Sequence, residues 1–126
     1  MIGQTTVLEK SVTAGAAITA YTIAKLGADD NTMIPGAAVG DLLVGVFQHD
    51  ALITAEVRVM LLGVTRVKIA GTVTRGNPIT SDASGQGVVA APGAGVNNRI
   101  IGFAMANGVT GDIIPVLLSQ SVMQGA

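Results

Sequence analysis

The chain has 126 residues, a formal net charge of −1, no cysteine and 12% charged residues, about half the charged share of an ordinary soluble domain, which is near 25%. That length suits one domain and can bury roughly two-thirds of the unfolded surface without covalent staples. The missing cysteines exclude disulfides and thiolate metal sites, and the near-neutral balance, with a pI near 5.6, argues against nucleic acid as the main partner.

Hydrophobic types make up 49% and aromatics 2%, and the mean hydropathy is +0.60. The apolar mass is therefore Ala, Val, Ile and Leu. A monomer of this composition has little charge for its outside, and large exposed apolar patches mark interaction sites. Much of the surface is expected to be covered by partners or by copies of the chain. A membrane is not the expected cover, because no segment offers the roughly 18 unbroken apolar residues of a spanning helix. The stretch from Ile113 to Ala126 is interrupted by Pro115, Ser119, Gln120, Ser121 and Gln124. Met1 to Thr6 lacks the basic and apolar regions of a secretory signal.

The first eleven residues are polar or carry isolated apolar side chains, and end in Glu9-Lys10. They are expected to form an extended N-terminal arm, able to add a strand to a neighbour's sheet edge, ahead of a single β domain over 12–126. The frequent glycines and β-branched residues predict strands and turns, not long helices. Ile18 to Lys25 has strand character with imperfect alternation. Asp29-Asp30-Asn31 is a turn signal. Asp41 to Phe47 is an apolar run of the length of a buried strand. Glu56-Val57-Arg58-Val59 alternates, which places Val57 and Val59 inward. Thr65 to Ile69 alternates likewise, with Arg66 and Lys68 on one face, and Gly63 between the two strands suggests a tight connection or a bulge. Arg75-Gly76-Asn77-Pro78 and Asp82-Ala83-Ser84-Gly85 are turns around a short strand at Ile79-Thr80. Ala90 to Asn98 is a loop. Arg99 to Met105 and Asp112 to Leu118 are the closing strands, and Pro115, which cannot donate to a ladder, predicts that the last is an edge or is bulged.

An internal echo runs through the chain. Val12 to Thr19 is similar to Val73 to Thr80, Leu43 to Phe47 to Ile100 to Ala104, and Thr54 to Val57 to Thr110 to Ile113, in the same order in both halves. Two similar β-units packed as one barrel or sandwich would produce it.

Catalytic chemistry needs a nucleophile, an acid or base, or a metal in a definable constellation, and none is legible. The one histidine, His49, is followed by Asp50, but adjacent strand residues point to opposite faces and make no relay. A solvent-facing or interface role is expected for it. Ser81, Asp82 and Ser84 lack a nucleophile elbow and suit a turn. Asp29-Asp30-Asn31 is too short for a calcium loop. Gly85-Gln86-Gly87 and Gly93-Ala94-Gly95 lack the spacing and the lysine of phosphate-binding loops. Arg58, Arg66 and Lys68 lie beside Glu56 with no aromatic to stack a base, which suits salt bridges across a subunit contact. Met60, Met105 and Met123 are expected as core or interface fillers. The chain is expected not to be an enzyme, with no catalytic, cofactor-binding or metal-binding residues.

Four ordered stretches carry a resemblance. They are Tyr21 to Lys25 with Gly27-Ala28-Asp29; Gly40 to Val46; Glu56 to Thr65 with Val73 to Gly76 and Ile79 to Gly85; and Ile101 to Ala106 with Gly111 to Leu118. In this order the chain resembles the small bacteriophage capsid cement, or head decoration, proteins, from about Val12 to Leu118, with Pro115 as a departure. The resemblance implies an all-β fold, a small β-barrel or β-sandwich of β-tulip type. It also implies a structural role on the outer surface of an icosahedral virion head, made in the host cytoplasm. The implied partners are the major capsid protein and copies of the chain itself, as a homotrimer or alternatively a homodimer, with neither nucleic acid nor membrane. The alternative from a different class is a small-ligand or carbohydrate-binding β-module of a tail or fibre. Such a module would draw on Tyr21, Phe47 and Phe103, and Tyr21 is its cheapest test.

Overall fold

The computed structural model describes residues 4–125. The chain is all-β. Its strands are β1 (Thr5–Ala14), β2 (Ile23–Leu26), β3 (Thr32–Pro35), β4 (Leu43–Phe47), β5 (Glu56–Lys68), β6 (Pro78–Ser81), β7 (Gly87–Val89), β8 (Asn97–Ala104) and β9 (Ile113–Gln124), and no helix lies among the described residues. They form one sheet in the order β1-β3-β2-β4-β5-β9-β8-β6-β7, and β1 also pairs with β5. The first five strands thus close a ring of pairings, and the remaining four fold back over it as a second layer.

β5 joins the two halves. At Val64 it pairs with Thr5 of β1 on one side and Leu117 of β9 on the other. Two apolar cores result. One holds Val12, Ala14, Ala24, Phe47, Val57 and Val59. The other holds Ile23, Val46, Met60, Val67, Ile69, Ile101, Ile114 and Val116. Neighbouring residues of β2, β4 and β5 (Ile23/Ala24, Val46/Phe47, Val59/Met60) go to opposite cores, because successive side chains leave a strand on opposite faces. That is why Leu43 to Phe47 is an unbroken apolar run: both faces of its wall are covered.

The internal echo is structural. Pairing of Val12 with Val57 in the first half is matched by Val67 with Ile114 in the second. Ile23 with Val46 is matched by Pro78 with Phe103, and Met60 with Val46 by Leu117 with Phe103. β5 serves as the last strand of the first unit and the first strand of the second. Leu43 to Phe47 and Ile100 to Ala104 are true counterparts. Val12 answers to Val67, however, and not to Val73, and Thr54 answers to Gly111, not to Thr110.

Four corners repeat as well. Ile18 bridges Ala51, and Val73 bridges Gly108. Three residues after each bridge the backbone turns to positive φ, at Tyr21 (64°), Thr54 (70°), Gly76 (94°) and Gly111 (91°). The amides of these four residues donate to the carbonyls of Phe47, Ala14, Ala104 and Ile69 respectively.

Several sequence expectations are corrected. Ile18 to Thr22 is a corner and the strand begins at Ile23, because the positive φ at Tyr21 breaks an extended run. The two strands expected around Gly63 are one strand, Glu56–Lys68. Gly63, at φ 120°, marks an irregularity, since the register shifts opposite it on β1 between Thr6 and Leu8. β7 (Gly87–Val89) is not among the expected strands, and β8 starts at Asn97, inside the end of the expected Ala90 to Asn98 loop. Residues 5–11 of the expected arm belong to β1 and pair with β5, so the 11/12 boundary runs inside one strand; residues 1–3 lie outside the described residues. At Val116 and Leu117 the last strand is not an edge, although its β5 side opens beyond Leu117. β9 lies between β5 and β8, and Pro115 is accommodated because β8 ends opposite Val116. The Pro115 carbonyl accepts from the Met105 amide; the missing N–H faces that same side, just past the ladder. A register shift between Ile100 and Gly102 does bulge the β8–β9 pair further along.

Candidate docking face

The chemistry-bearing side chains are spent on the backbone. His49 Nε2 accepts the Arg58 amide at 3.1 Å, and Nδ1 lies 2.9 Å from the Asp50 carbonyl, so the proton sits on Nδ1. Asp50 caps the Ala20 amide at 2.7 Å. Asn107 and Asp112 do the same at the second pair of corners, accepting from the amides of Arg75 and Val109. Asp82 closes the β6–β7 turn by accepting from Ser84 and Gln86, and Ser81 donates to the Asp82 carbonyl. Gly85 supplies the positive φ (77°) that this turn needs.

Asp29 accepts from the Thr32 hydroxyl and the Asn31 amide, which hold its carboxyl below the usual range. Asp41 accepts from the amides of Ala37 and Ala38 and from Lys25 Nζ at 3.0 Å. These contacts, the Ala37 amide foremost, outweigh partial burial and lower its pKa. Lys25–Asp41 is the ion pair found among the described residues. Arg58, Arg66 and Lys68 lie on the single strand β5, and Arg58 is separated from the other two by roughly 27 Å or more of extended strand at about 3.4 Å per residue. They make no basic cluster.

Met60 is fully buried, Met123 is exposed, and Met105 lines a shallow groove with Ile113, Ile114 and Pro115. Of the groove's polar members, Arg75, Asn107 and Asp112, the last two are the corner caps already described. Phe47 is fully buried in the first core, Phe103 faces outward from β8, and Tyr21 is half-buried at its corner. The three aromatics therefore share no surface.

What the exterior does present is an apolar band. Leu8 pairs with Leu62, and Val64 with Leu117, which pairs with Phe103, which pairs with Pro78. Register partners share a face and sit about 4.5–5.5 Å apart, so one run crosses β5, β9, β8 and β6, and the Leu8–Leu62 pair of β1 and β5 lies beside it across the irregularity at Gly63. Leu8, Leu62, Leu117 and Phe103 are 47%, 45%, 43% and 38% exposed. Composition foretold such a surface, but not its place, because register partners from five strands are invisible along the chain.

No family model matches the chain, and no curated relative does. Among solved structures it is similar to the N base of the head fiber protein gp8.5 of bacteriophage phi29. The TM-score is 0.70 at 17% identity, over 93% of this chain and 98% of that one. The two share a fold.

Proposed function

We propose that this chain is a structural protein of a phage head that docks on the outer surface of the shell and stabilises it, as a cement or decoration protein does. The observation that carries the reading is the near end-to-end likeness to the base of a head fiber. It joins the ordered sequence resemblance to capsid cement proteins. The apolar band supplies the physical means of docking. Covering what remains exposed of Leu8, Leu62, Leu117 and Phe103 is worth about 1 kcal/mol each. A protein that binds the assembled shell and not its free subunits stabilises the shell by mass action. The major capsid protein is the partner in this reading, and no side chain performs catalysis.

The test is cryo-electron microscopy of particles carrying the chain, beside particles incubated with a Phe103→Lys/Leu117→Lys variant. Wild-type density is expected at regular positions over the shell lattice, with the band against it. The variant, whose new charges point to solvent in the free protein, is expected to melt like the wild type and to leave the particles bare. A variant that coats particles as well as the wild type does would move the docking face elsewhere. Particles that never carry the chain would end the reading itself.

A further inference from the structure

Sheets leave hydrogen-bonding groups open at their edges, and natural proteins guard such edges with charge, proline or cover. Within the described residues, segments of two long strands, β1 and β9, are among those with one side paired and the other open. On β1, Thr5 to Ser11 pair with β5 only, since β3 reaches β1 at Thr13 and Ala14 alone. On β9, the residues past Leu117 lie beyond the pairing of β5; the Gln120 side chain still reaches the Val44 and Leu61 carbonyls, and Ser121 to Gln124 keep β8 as their one strand partner.

The direction of each open group follows from alternation. The Ala14 amide donates to Ala55 on the β5 side, and the Thr13 amide to Asn31 on the other. Odd residues of this regular stretch therefore aim outward, and the open backbone groups are those of Glu9 and Ser11. The Gly125 amide donates to Val96 on the β8 side, so Val122 and Gln124 aim away from β8.

We propose that copies of this chain join head to tail by strand pairing, the outer edge of β1 in one copy against the outer edge of β9 in the next. Charge decides the pairing. Two β1 edges meeting antiparallel about a two-fold axis would set Glu9 against Glu9 or, in the next register, Lys10 against Lys10. Like charges directly opposite are destabilising. The register beyond that needs the Thr13 amide, which Asn31 already holds. The β9 segment Ser119-Gln120-Ser121-Val122-Met123-Gln124 has no charge, so it accepts Glu9 and Lys10 without conflict. Pairing two β9 edges would leave the longer β1 edge open in every copy. The heterotypic pair covers both and brings Val7 (67% exposed) and Leu8 toward Val122 (50%) and Met123 (37%). A head-to-tail contact of this kind closes into a ring or runs on as a filament. The inference does not rest on the head-surface reading.

Light scattering after size exclusion tests it on the full chain, with two edge prolines. Glu9→Pro and Val122→Pro each delete one outward amide and leave the β5 and β8 ladders intact. The wild type is expected as a species larger than a dimer and each variant alone as a monomer. An equimolar mixture is expected to give a 1:1 heterodimer, because each variant retains the edge the other lacks. Hydrogen exchange on the unmodified protein is the check that needs no variant. The Glu9, Ser11, Val122 and Gln124 amides should be protected at least tenfold more in the assembled state than after dilution to monomer. A wild type that stays monomeric at every concentration overturns the proposal. So does a Glu9→Pro protein that still dimerises, which would assign the contact to a β9–β9 pair. So does unchanged exchange at all four amides in an assembled wild type.

Discussion

Thr54 occupies a corner position whose counterpart in the second half is Gly111, and the other second-half corner is likewise a glycine, Gly76. At φ 70° a β-branched residue is in the left-handed region, where an L side chain costs roughly 1–2 kcal/mol. The side chain is exposed, so little packing is lost on removing it. Thr54→Gly relieves the strain but adds unfolded-state freedom, which costs about 0.5–1 kcal/mol. The net expectation is a gain of about 0.5–1 kcal/mol, or a rise in Tm of roughly 2–5 °C for a chain of this size. The reciprocal change isolates the backbone contribution. At Gly111 an added Cβ meets nothing within 4 Å, so Gly111→Thr introduces the strain without a clash. Its expected cost is roughly 0.5–1 kcal/mol, the left-handed penalty less the unfolded-state entropy recovered. Urea denaturation and calorimetry on both variants measure the pair. A Thr54→Gly protein less stable than the wild type, with an unchanged m-value, would refute the equivalence of the corners.

Thr80 is fully buried and its hydroxyl has no hydrogen-bond partner. Thr80→Val removes an unsatisfied polar group at nearly constant shape and is expected to stabilise by about 1 kcal/mol, read from the urea midpoint. Asp41 has a folded pKa below its unfolded value, so its stabilising contribution is present above the unfolded pKa, near 4, and is lost as pH falls through the folded value. The wild type is accordingly expected to exceed Asp41→Asn by about 1–2 kcal/mol at pH 7, with the gap closing below about pH 4; a gap unchanged at pH 2 counts against the assignment. Gly102→Ala would drive a Cβ into the Leu117 carbonyl. It is expected to cost about 1–3 kcal/mol and to raise hydrogen exchange along the β8–β9 ladder first.

Where one residue's neighbours decide its environment, the sequence was readable. Val57, Val59, Val67 and Ile69 are all fully buried, as their alternation predicts. The turn at Asp29 and the hairpin turn at Asp82 also fall where their side chains accept the nearby amides. What escaped were features set by partners distant in the chain. Ile18 to Thr22 has strand composition but is bent by a bridge to Ala51. Pro115 looked like an edge signal, yet the sheet needs no donor from it because β8 has already ended there. Residues 5–11 looked unattached because their partner, β5, lies far along the chain. The docking band and the two open edges belong to this second kind, being made of register partners, which no local pattern announces.

The duplication explains why so little chemistry is left over. Each unit needs two corners, and at the Tyr21, Gly76 and Gly111 corners side chains cap the backbone amides. Asp50, Asn77, Asn107 and Asp112 are consumed in that work, and His49 and Asp82 in similar caps nearby. A fold that spends its polar side chains on its own backbone has apolar strand faces and open strand edges left to offer a partner. Both are means of tiling and covering, and neither requires a charged surface. On the proposed reading, low charge density is what a surface that works by strand pairing and apolar contact would show. A chain with the same fold that acted alone in solution would be expected to carry lysines or glutamates at Leu62, Leu117, Phe103 and Val122, where they would cost the core nothing.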